Sequence, residues 1–238
     1  MLVVIPARYE STRFPGKPLV DIKGKSMIMH VYDQVKKAEK VDEVVIATDD
    51  VRIFDHCNEH GAHVMMTSTK HQNGTERIAE VVRRLEGDYE NIINVQGDEP
   101  FIQPEQIDLL ANVLQNPKVQ IATLAKMIDN ENELHSPNTV KVVLNQQSMA
   151  LYFSRFPIPF TRNNSAETVH FKHIGLYGYK LKTLNEIHQL STSMLEKAES
   201  LEQLRWLEAG YPIHVAITTI ESMGIDTPDD LKEALLKI

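Results

Sequence analysis

Three cations fall close together in the stretch PARYESTRFPGKPL: Arg8, Arg13 and Lys17. Two guanidiniums and an ammonium at this density can neutralise a polyphosphate, arginine acting as a planar fork and lysine as a point charge. The same three cations also fit a solvated basic loop. The stretch has a single glycine, Gly16, so a phosphate here would be met by side-chain charge more than by a glycine-rich backbone. It is not a Walker A loop, because Gly16-Lys17 is followed by Pro18 and no glycine lies upstream. The dinucleotide fingerprint G-x-G-x-x-G is also absent, which argues against a nicotinamide-dependent dehydrogenase. A second group is Asp98 in VQGDEP. Its carboxylate suits a hard divalent cation, since Mg2+ takes one or two carboxylates together with phosphate oxygens. Gly97-Asp98-Glu99-Pro100 also reads as an ordinary turn.

These residues need elements to hold them. The short apolar runs LVVIPA, EVVIAT, HVMMT and NIINVQ lack polar alternation and are expected as strands buried on both faces. Between them, SMIMHVYDQVKKAEK, VRIFDHCNEHG and GTERIAEVVRRLEG carry helical spacing, with Gly61 and Gly87 as closing residues. Strand and helix in alternation imply a parallel sheet with crossover helices. The second half changes character. TVKVVLNQQSMALYFSR reads as two antiparallel strands turning about Asn145 to Ser148, and HIGLYGYKLK as a further strand. LKTLNEIHQL and SLEQLRWLEAG read as helices, HVAITT as a late strand and TPDDLKEALLKI as a closing helix. The fold class is α/β: a mixed, mostly parallel sheet flanked by helices, with an antiparallel insertion, in a single domain over 1–238. Ligands of open α/β sheets bind outside the carboxyl ends of the strands, which points to the loops ARYESTRFPGK, TSTKHQNGTER and GDEP.

Composition narrows the function classes. The 238 residues carry a formal charge of −8, against a nucleic-acid partner held by bulk electrostatics. One cysteine, Cys57, excludes an intramolecular disulfide and a zinc site built on several thiolates, and a buried inert thiol is expected. No apolar run approaches the roughly 20 residues that span a bilayer, and MLVVIPARYE is too short for a signal-peptide core. The expectation is a soluble cytoplasmic protein with no membrane partner.

PARYESTRFPGKPL is followed in order by HQNGTER, VQGDEP, FSR, HIGLYGY, SLEQLR and GIDTPDDL. This succession, running over nearly the whole chain, resembles the CMP-Kdo synthetases, the 3-deoxy-manno-octulosonate cytidylyltransferases. The resemblance implies a Rossmann-like, nucleotide-diphospho-sugar transferase-like fold, with a nucleotide-binding half over about 1–128 and a sugar-binding and dimerisation part over about 129–212. It implies CTP and Kdo as substrates, CMP-Kdo and pyrophosphate as products, a place in lipopolysaccharide synthesis, and a homodimer. By the same resemblance Arg8 and Lys17 grip the triphosphate and stabilise the departing pyrophosphate, with Arg13 assisting. Asp98 and Asp226 share one Mg2+. Thr227 as N-cap and Pro228 as first helical residue explain that part of GIDTPDDL without a metal, and Asp229 and Asp230 read as first-turn acids. HQNGTER departs from the family pattern, with Asn73 where serine is usual. Asn73 and Glu76 keep a capping-box spacing, so the departure bears on cytosine recognition more than on the helix start. Arg77 is assigned to the nucleotide side; its plain alternative is an exposed first-turn arginine.

Kdo is an anionic sugar acid, and Arg155 matches the residue expected to take its carboxylate. Gln96, His173, Tyr177, Glu202 and Gln203 match the sugar pocket. Packing on one strand face is the alternative for His173 and Tyr177, and a Ser200–Gln203 capping box for Gln203. FPIPFTRNNSAETVHFK is polar and turn-rich, and fits either a flap over the sugar or a dimer contact. Two other functions stay open: a cytidylyltransferase for 8-amino-Kdo or a sialic acid, and a non-catalytic nucleotide-binding module. The second is disfavoured by the joint presence of Asp98, Asp226 and Arg155.

Overall fold

A computed structural model of the chain describes residues 1–11, 13–162, 168–221 and 223–237. The chain divides into two compact units, Met1–Ala111 with Ser222–Ile238, and Asn112–Glu221. The family resemblance puts the internal division at about 128 and leaves the closing helix outside both parts.

In the first unit the elements run β1 (Leu2–Ala7), β2 (Asp21–Ile22), β3 (Lys25–Ser26), α1 (Met27–Val35), β4 (Glu43–Thr48), α2 (Val51–Glu59), β5 (Val64–Met66), α3 (Gly74–Arg84) and β6 (Asn91–Asn94). Helix α4 (Pro104–Leu114) contains the break between units. Strands β6, β1, β4 and β5 lie side by side and are all parallel, with Leu2 opposite both Glu43 and Ile92. Leu2, Val3, Val4, Ile5, Val45 and Ile46 are wholly buried, so both strand faces are apolar and the usual polar alternation is missing. The β2–β3 hairpin, which the pattern did not reveal, turns through Lys23 and Gly24 at φ 52° and 88°. Two successive positive φ values suit the twist of a tight hairpin.

The helices are shorter than their patterns. Helix α1 ends at Val35, where its apolar stripe runs out into charged residues. Ser26 does not cap it; its hydroxyl lies 2.7 Å from His56 Nε2. Gly61, at φ 72°, lies just past the end of α2 as expected. Gly87 is not among the left-handed glycines, and α3 stops at Arg84 without it.

The second unit continues with β7 (Ile121–Met127), α5 (Glu131–His135), β8 (Lys141–Leu144), β9 (Ala150–Ser154), β10 (Phe171–Lys180), α6 (Leu181–Ile187), α7 (Met194–Glu199), α8 (Gln203–Glu208) and β11 (Ile213–Ile217). β11 pairs parallel with β7, whereas β7–β10, β10–β8 and β8–β9 are antiparallel. The β8–β9 turn is held by Asn145, whose Oδ1 accepts from the N–H groups of Gln147 and Met149 at 2.9 Å each. The core is aromatic, built around Phe153, Tyr177, Tyr179 and Trp206.

The expected Ser200–Gln203 capping box does not form. Ser200 takes φ 53° and ends α7, so its hydroxyl is not at a helix start; the capping box is made by Ser193 and Glu196 at the other end of α7. Of the segment FPIPFTRNNSAETVHFK, residues 163–167 lie outside the described residues. The chain then returns to the first unit in α9 (Pro228–Lys237). Among the described residues no helix is long and apolar enough to cross a membrane.

Candidate active site

Strands β1 and β6 are parallel neighbours, so the residues that follow them, Arg8 and Gln96 to Asp98, leave the same edge of the sheet. The approach is close: a Cβ on Gly97 would stand 2.8 Å from the Pro6 carbonyl oxygen, nearer than any side chain tolerates. Arg8 is fixed by donating from Nη2 to the His71 carbonyl at 2.7 Å. Gly16 closes the loop that begins at Arg8. It sits at φ 71°, its N–H donates to the Tyr9 carbonyl at 2.8 Å, and an added Cβ would meet the Tyr9 ring at 3.1 Å. Glycine is therefore required here by both conformation and space. Lys17 opens the short 3-10 turn Lys17–Leu19 immediately after it.

Asp226 is brought in by the start of α9. Thr227 is the N-cap that the pattern suggested: the Asp230 N–H donates to its Oγ1 at 3.2 Å. Asp230 reciprocates, its Oδ2 accepting from the N–H groups of Asp226 at 3.0 Å and Thr227 at 2.8 Å. Asp230 is thus more than a first-turn acid, since it orients the backbone of Asp226. The T-x-x-D spacing carried that signal. The Ile225 N–H also donates to the Asp98 carbonyl at 2.9 Å. Beneath these loops Ile22, Met27, Ile225 and Ala234 form a buried apolar cluster that also takes in Phe14, Phe101, Met223 and Leu231. The three loops carrying the charged side chains therefore share one apolar base.

The result is a convergence of charge. Lys17 Nζ lies 2.6 Å from Asp98 Oδ2 and 3.0 Å from Asp226 Oδ1, and Arg13 Nη2 lies 3.2 Å from Asp226 Oδ2. Burial works against the Lys17 ammonium, but the two carboxylates more than offset it and its pKa is raised. Burial, and then repulsion from Arg77, lowers the pKa of Arg8. Arg8, Arg13, Lys17, Asn73, Gln96, Asp98 and Asp226 all line one open cleft of about 500 Å3. Two carboxylates converging on one positive nitrogen are a donor set that fits a hard cation. Among the described residues no group of three or more His, Cys, Asp or Glu side chains is placed to hold a metal, so water or phosphate oxygens would complete the coordination.

Asn73 also caps α3, its Oδ1 accepting from the Glu76 N–H at 2.9 Å. Arg77 is not the exposed first-turn arginine of its plain alternative. It is wholly buried, with Nη2 2.7 Å from Asp49 Oδ2 and a further bond to the Thr67 hydroxyl, and it is not part of the cleft lining. A fully desolvated guanidinium must be paired, and Asp49, which no motif indicated, is its partner.

Within the second unit Arg155 follows β9 directly. Three of its five N–H donors go to backbone carbonyls: Glu199 at 2.7 Å, Pro137 at 2.9 Å and Ser200 at 3.3 Å. It borders a hollow of about 1070 Å3 that includes Phe156, Phe160 and Glu199. His173 lies 3.0 Å by Nε2 from the Thr123 hydroxyl, with ring centroids 5.1 Å from Phe153 and 5.2 Å from Tyr177. Burial pushes the His173 imidazole down to about 3. Burial, with Tyr179 and Glu202 adding to it, raises the Tyr177 phenol. Gln203 is buried at the start of α8, directly after Glu202. His173 and Tyr177 thus sit in the aromatic core, the placement their packing alternative describes.

Residues 2–220 match the cytidylyltransferase family model. A 3-deoxy-manno-octulosonate cytidylyltransferase of Cytophaga hutchinsonii is 53% identical over 97% of this chain and 94% of its own length. One from Parabacteroides distasonis is 50% identical over 98% and 95%. The solved structure of CMP:2-keto-3-deoxy-manno-octonic acid synthetase complexed with CTP superposes with a TM-score of 0.93 at 42% identity, covering 99% of this chain and 97% of that one. The fold is accordingly the Rossmann-like, mixed and mostly parallel α/β architecture of the nucleotidyltransferases. A chain matched over this length and at these identities belongs to the cytidylyltransferase family and, within it, to the 3-deoxy-manno-octulosonate cytidylyltransferases.

Proposed function

We propose that this protein transfers CMP from CTP to the anomeric hydroxyl of Kdo, giving CMP-Kdo and pyrophosphate for lipopolysaccharide synthesis. The observation that carries this reading is the meeting of Lys17, Asp98, Asp226 and Arg13 in a cleft also lined by Arg8. The hydroxyl oxygen forms a bond to the α-phosphorus, its proton passes to solvent water, and the bond from the α-phosphorus to the bridging oxygen breaks, the electron pair leaving with pyrophosphate. Such a transfer asks the protein for position and for charge where charge grows. Arg8, Arg13 and Lys17 supply positive charge to the triphosphate and most of all to the departing pyrophosphate. Asn73, at the α3 start, faces the nucleotide. Asp98 and Asp226 would hold Mg2+, which when bound offsets phosphate charge and polarises the α-phosphoryl oxygen. Gln96 in the first unit and Arg155, His173, Tyr177, Glu202 and Gln203 in the second are assigned to the sugar acid. Arg155 keeps donors beyond the three it spends on the backbone. Arg77 acts on the nucleotide side as a buried support next to Arg8, whose pKa it depresses.

The substrates place the reaction in the cytoplasm, where CTP is made. We assign a homodimer, supported by exposed apolar side chains of the second unit, among them Leu151 61%, Phe156 72%, Phe160 86% and Met194 74% exposed. A dimer buries such surface; light scattering of the purified protein tests it, with the monomer mass counting against it.

Pyrophosphate release measured with Mg2+ and CTP tests the reaction. Release is expected with Kdo and not when UTP replaces CTP. Parallel reactions with 8-amino-Kdo and sialic acid identify the sugar. No release with CTP and any of the three acids would end the proposal.

A further inference from the structure

The cation that joins Asp98 to Asp226 is the chain's own. Lys17 Nζ is 2.6 Å from one carboxylate and 3.0 Å from the other, its side chain only 12% exposed, while Arg13 reaches the second oxygen of Asp226 at 3.2 Å. The lysine therefore belongs to two competing partnerships. It is one of the cations that the triphosphate needs, and it occupies the point on which the two carboxylates converge.

An ammonium there does two things to an arriving divalent ion. It fills the position between the carboxylate oxygens, and it repels a second positive charge at short range. The backbone segments that carry the two carboxylates have ties that do not involve the lysine. The Ile225 N–H donates to the Asp98 carbonyl, and the Asp230 carboxylate accepts from the Asp226 N–H.

We propose that Lys17 is an internal counter-ion that keeps the Asp98–Asp226 pair closed to divalent metal until the triphosphate draws its ammonium away. The proposal rests on the reading of Asp98 and Asp226 as the metal carboxylates. It adds that metal and nucleotide enter as a coupled pair, with the protein alone a poor metal binder. The nucleotide's phosphates take over Lys17 and at the same time release both carboxylates. Coupling of this kind is reciprocal: whatever affinity CTP adds to the metal, the metal adds to CTP.

Calorimetric titration of the nucleotide-free protein with Mn2+, a spectroscopically convenient stand-in for Mg2+, reads the exchange without any turnover. Lys17→Met is expected to bind Mn2+ at least about tenfold more tightly than the unaltered protein, since a like charge has been removed at contact range. Lys17→Gln, which keeps a polar side chain, is expected to move the same way, and Arg13→Gln by about two- to threefold, because its ion pair is longer and exposed. Adding Asp226→Asn to Lys17→Met is expected to abolish the gain. If folded Lys17→Met and Lys17→Gln bind Mn2+ no more tightly than the parent, the counter-ion role is wrong. The metal assignment then stands or falls separately, on whether Asp226→Asn weakens Mn2+ binding in the presence of CTP. A gain that survives Asp226→Asn would overturn both.

Discussion

The Ile225 N–H donates to the Asp98 carbonyl at 2.9 Å, so the residue before one acidic side chain is tied to the backbone that carries the other. Residues far apart in the sequence are locked together by one main-chain bond over a shared apolar cluster. The fold thus brings the backbones of Asp98 and Asp226 together independently of the side chains that pair with their carboxylates.

Asp230 completes that lock by accepting from the Asp226 and Thr227 N–H groups. Asp230→Ala is expected to cost about 1 kcal/mol of stability, as the loss of a helix cap does. It is also expected to raise the Mg2+ concentration needed for half-maximal pyrophosphate release several-fold. Asp230→Asn keeps an acceptor oxygen and should restore most of the Mg2+ response, which a purely structural loss would not explain. A Mg2+ titration of the three proteins checks this.

Lys17→Ala should act mainly on turnover. The ammonium counters charge that develops as pyrophosphate leaves, so kcat is expected to fall by about two orders of magnitude. The KM for CTP should change far less. Steady-state kinetics on the purified variant gives both values, and an unchanged kcat would return the loop Arg8 to Lys17 to being a connection.

Much of this site was legible before the structure. The β-branched runs announced the parallel strands, and the rule about strand ends picked out the loops that hold Arg8, Asn73 and Asp98. Asn73, Thr227 and Pro228 were readable as helix-start residues because capping is local chemistry. The pairing of Arg77 with Asp49 was not readable, since it depends on how α3 packs against the end of β4. Ser200 misled for a related reason. S-L-E-Q has the spacing of a cap, but a left-handed turn at Ser200 assigns it to the end of the preceding helix. Helix ends such as that of α1 were overextended where charged residues continued a helical pattern that no packing supported.

The buried Arg77–Asp49 pair should be costly to break. Removing one partner leaves a charge without compensation, at a cost of about 3 to 5 kcal/mol. Asp49→Ala is expected near the upper end, because the charge it leaves unpaired, Arg77, has no solvent contact, whereas Arg77→Met leaves Asp49, which keeps some. Replacing both, as in Asp49→Ala with Arg77→Met, should cost less than Asp49→Ala alone. Urea denaturation of the single and double variants decides it.

His173 sets a pH dependence. In the unfolded chain an imidazole takes a proton below about 6.5, whereas burial holds the folded one down to about 3. Between those values the unfolded state binds more protons, so stability should fall as pH drops from about 6.5 toward about 3. The contribution at pH 4 relative to pH 7 is about 1 to 3 kcal/mol. His173→Gln should flatten this part of the stability profile, as followed by urea midpoints at both pH values. An equal decline in both proteins would place the titration elsewhere.

The central claim is that the sugar hydroxyl of Kdo attacks the α-phosphorus of CTP. Kdo labelled with 18O at its anomeric oxygen, incubated with CTP, Mg2+ and the protein, allows mass spectrometry to follow that oxygen. The expected result is CMP-Kdo that retains the label in its phosphodiester and pyrophosphate that carries none, in equal amounts. Absence of CMP-Kdo, or product formed with the label lost from the sugar, would contradict it.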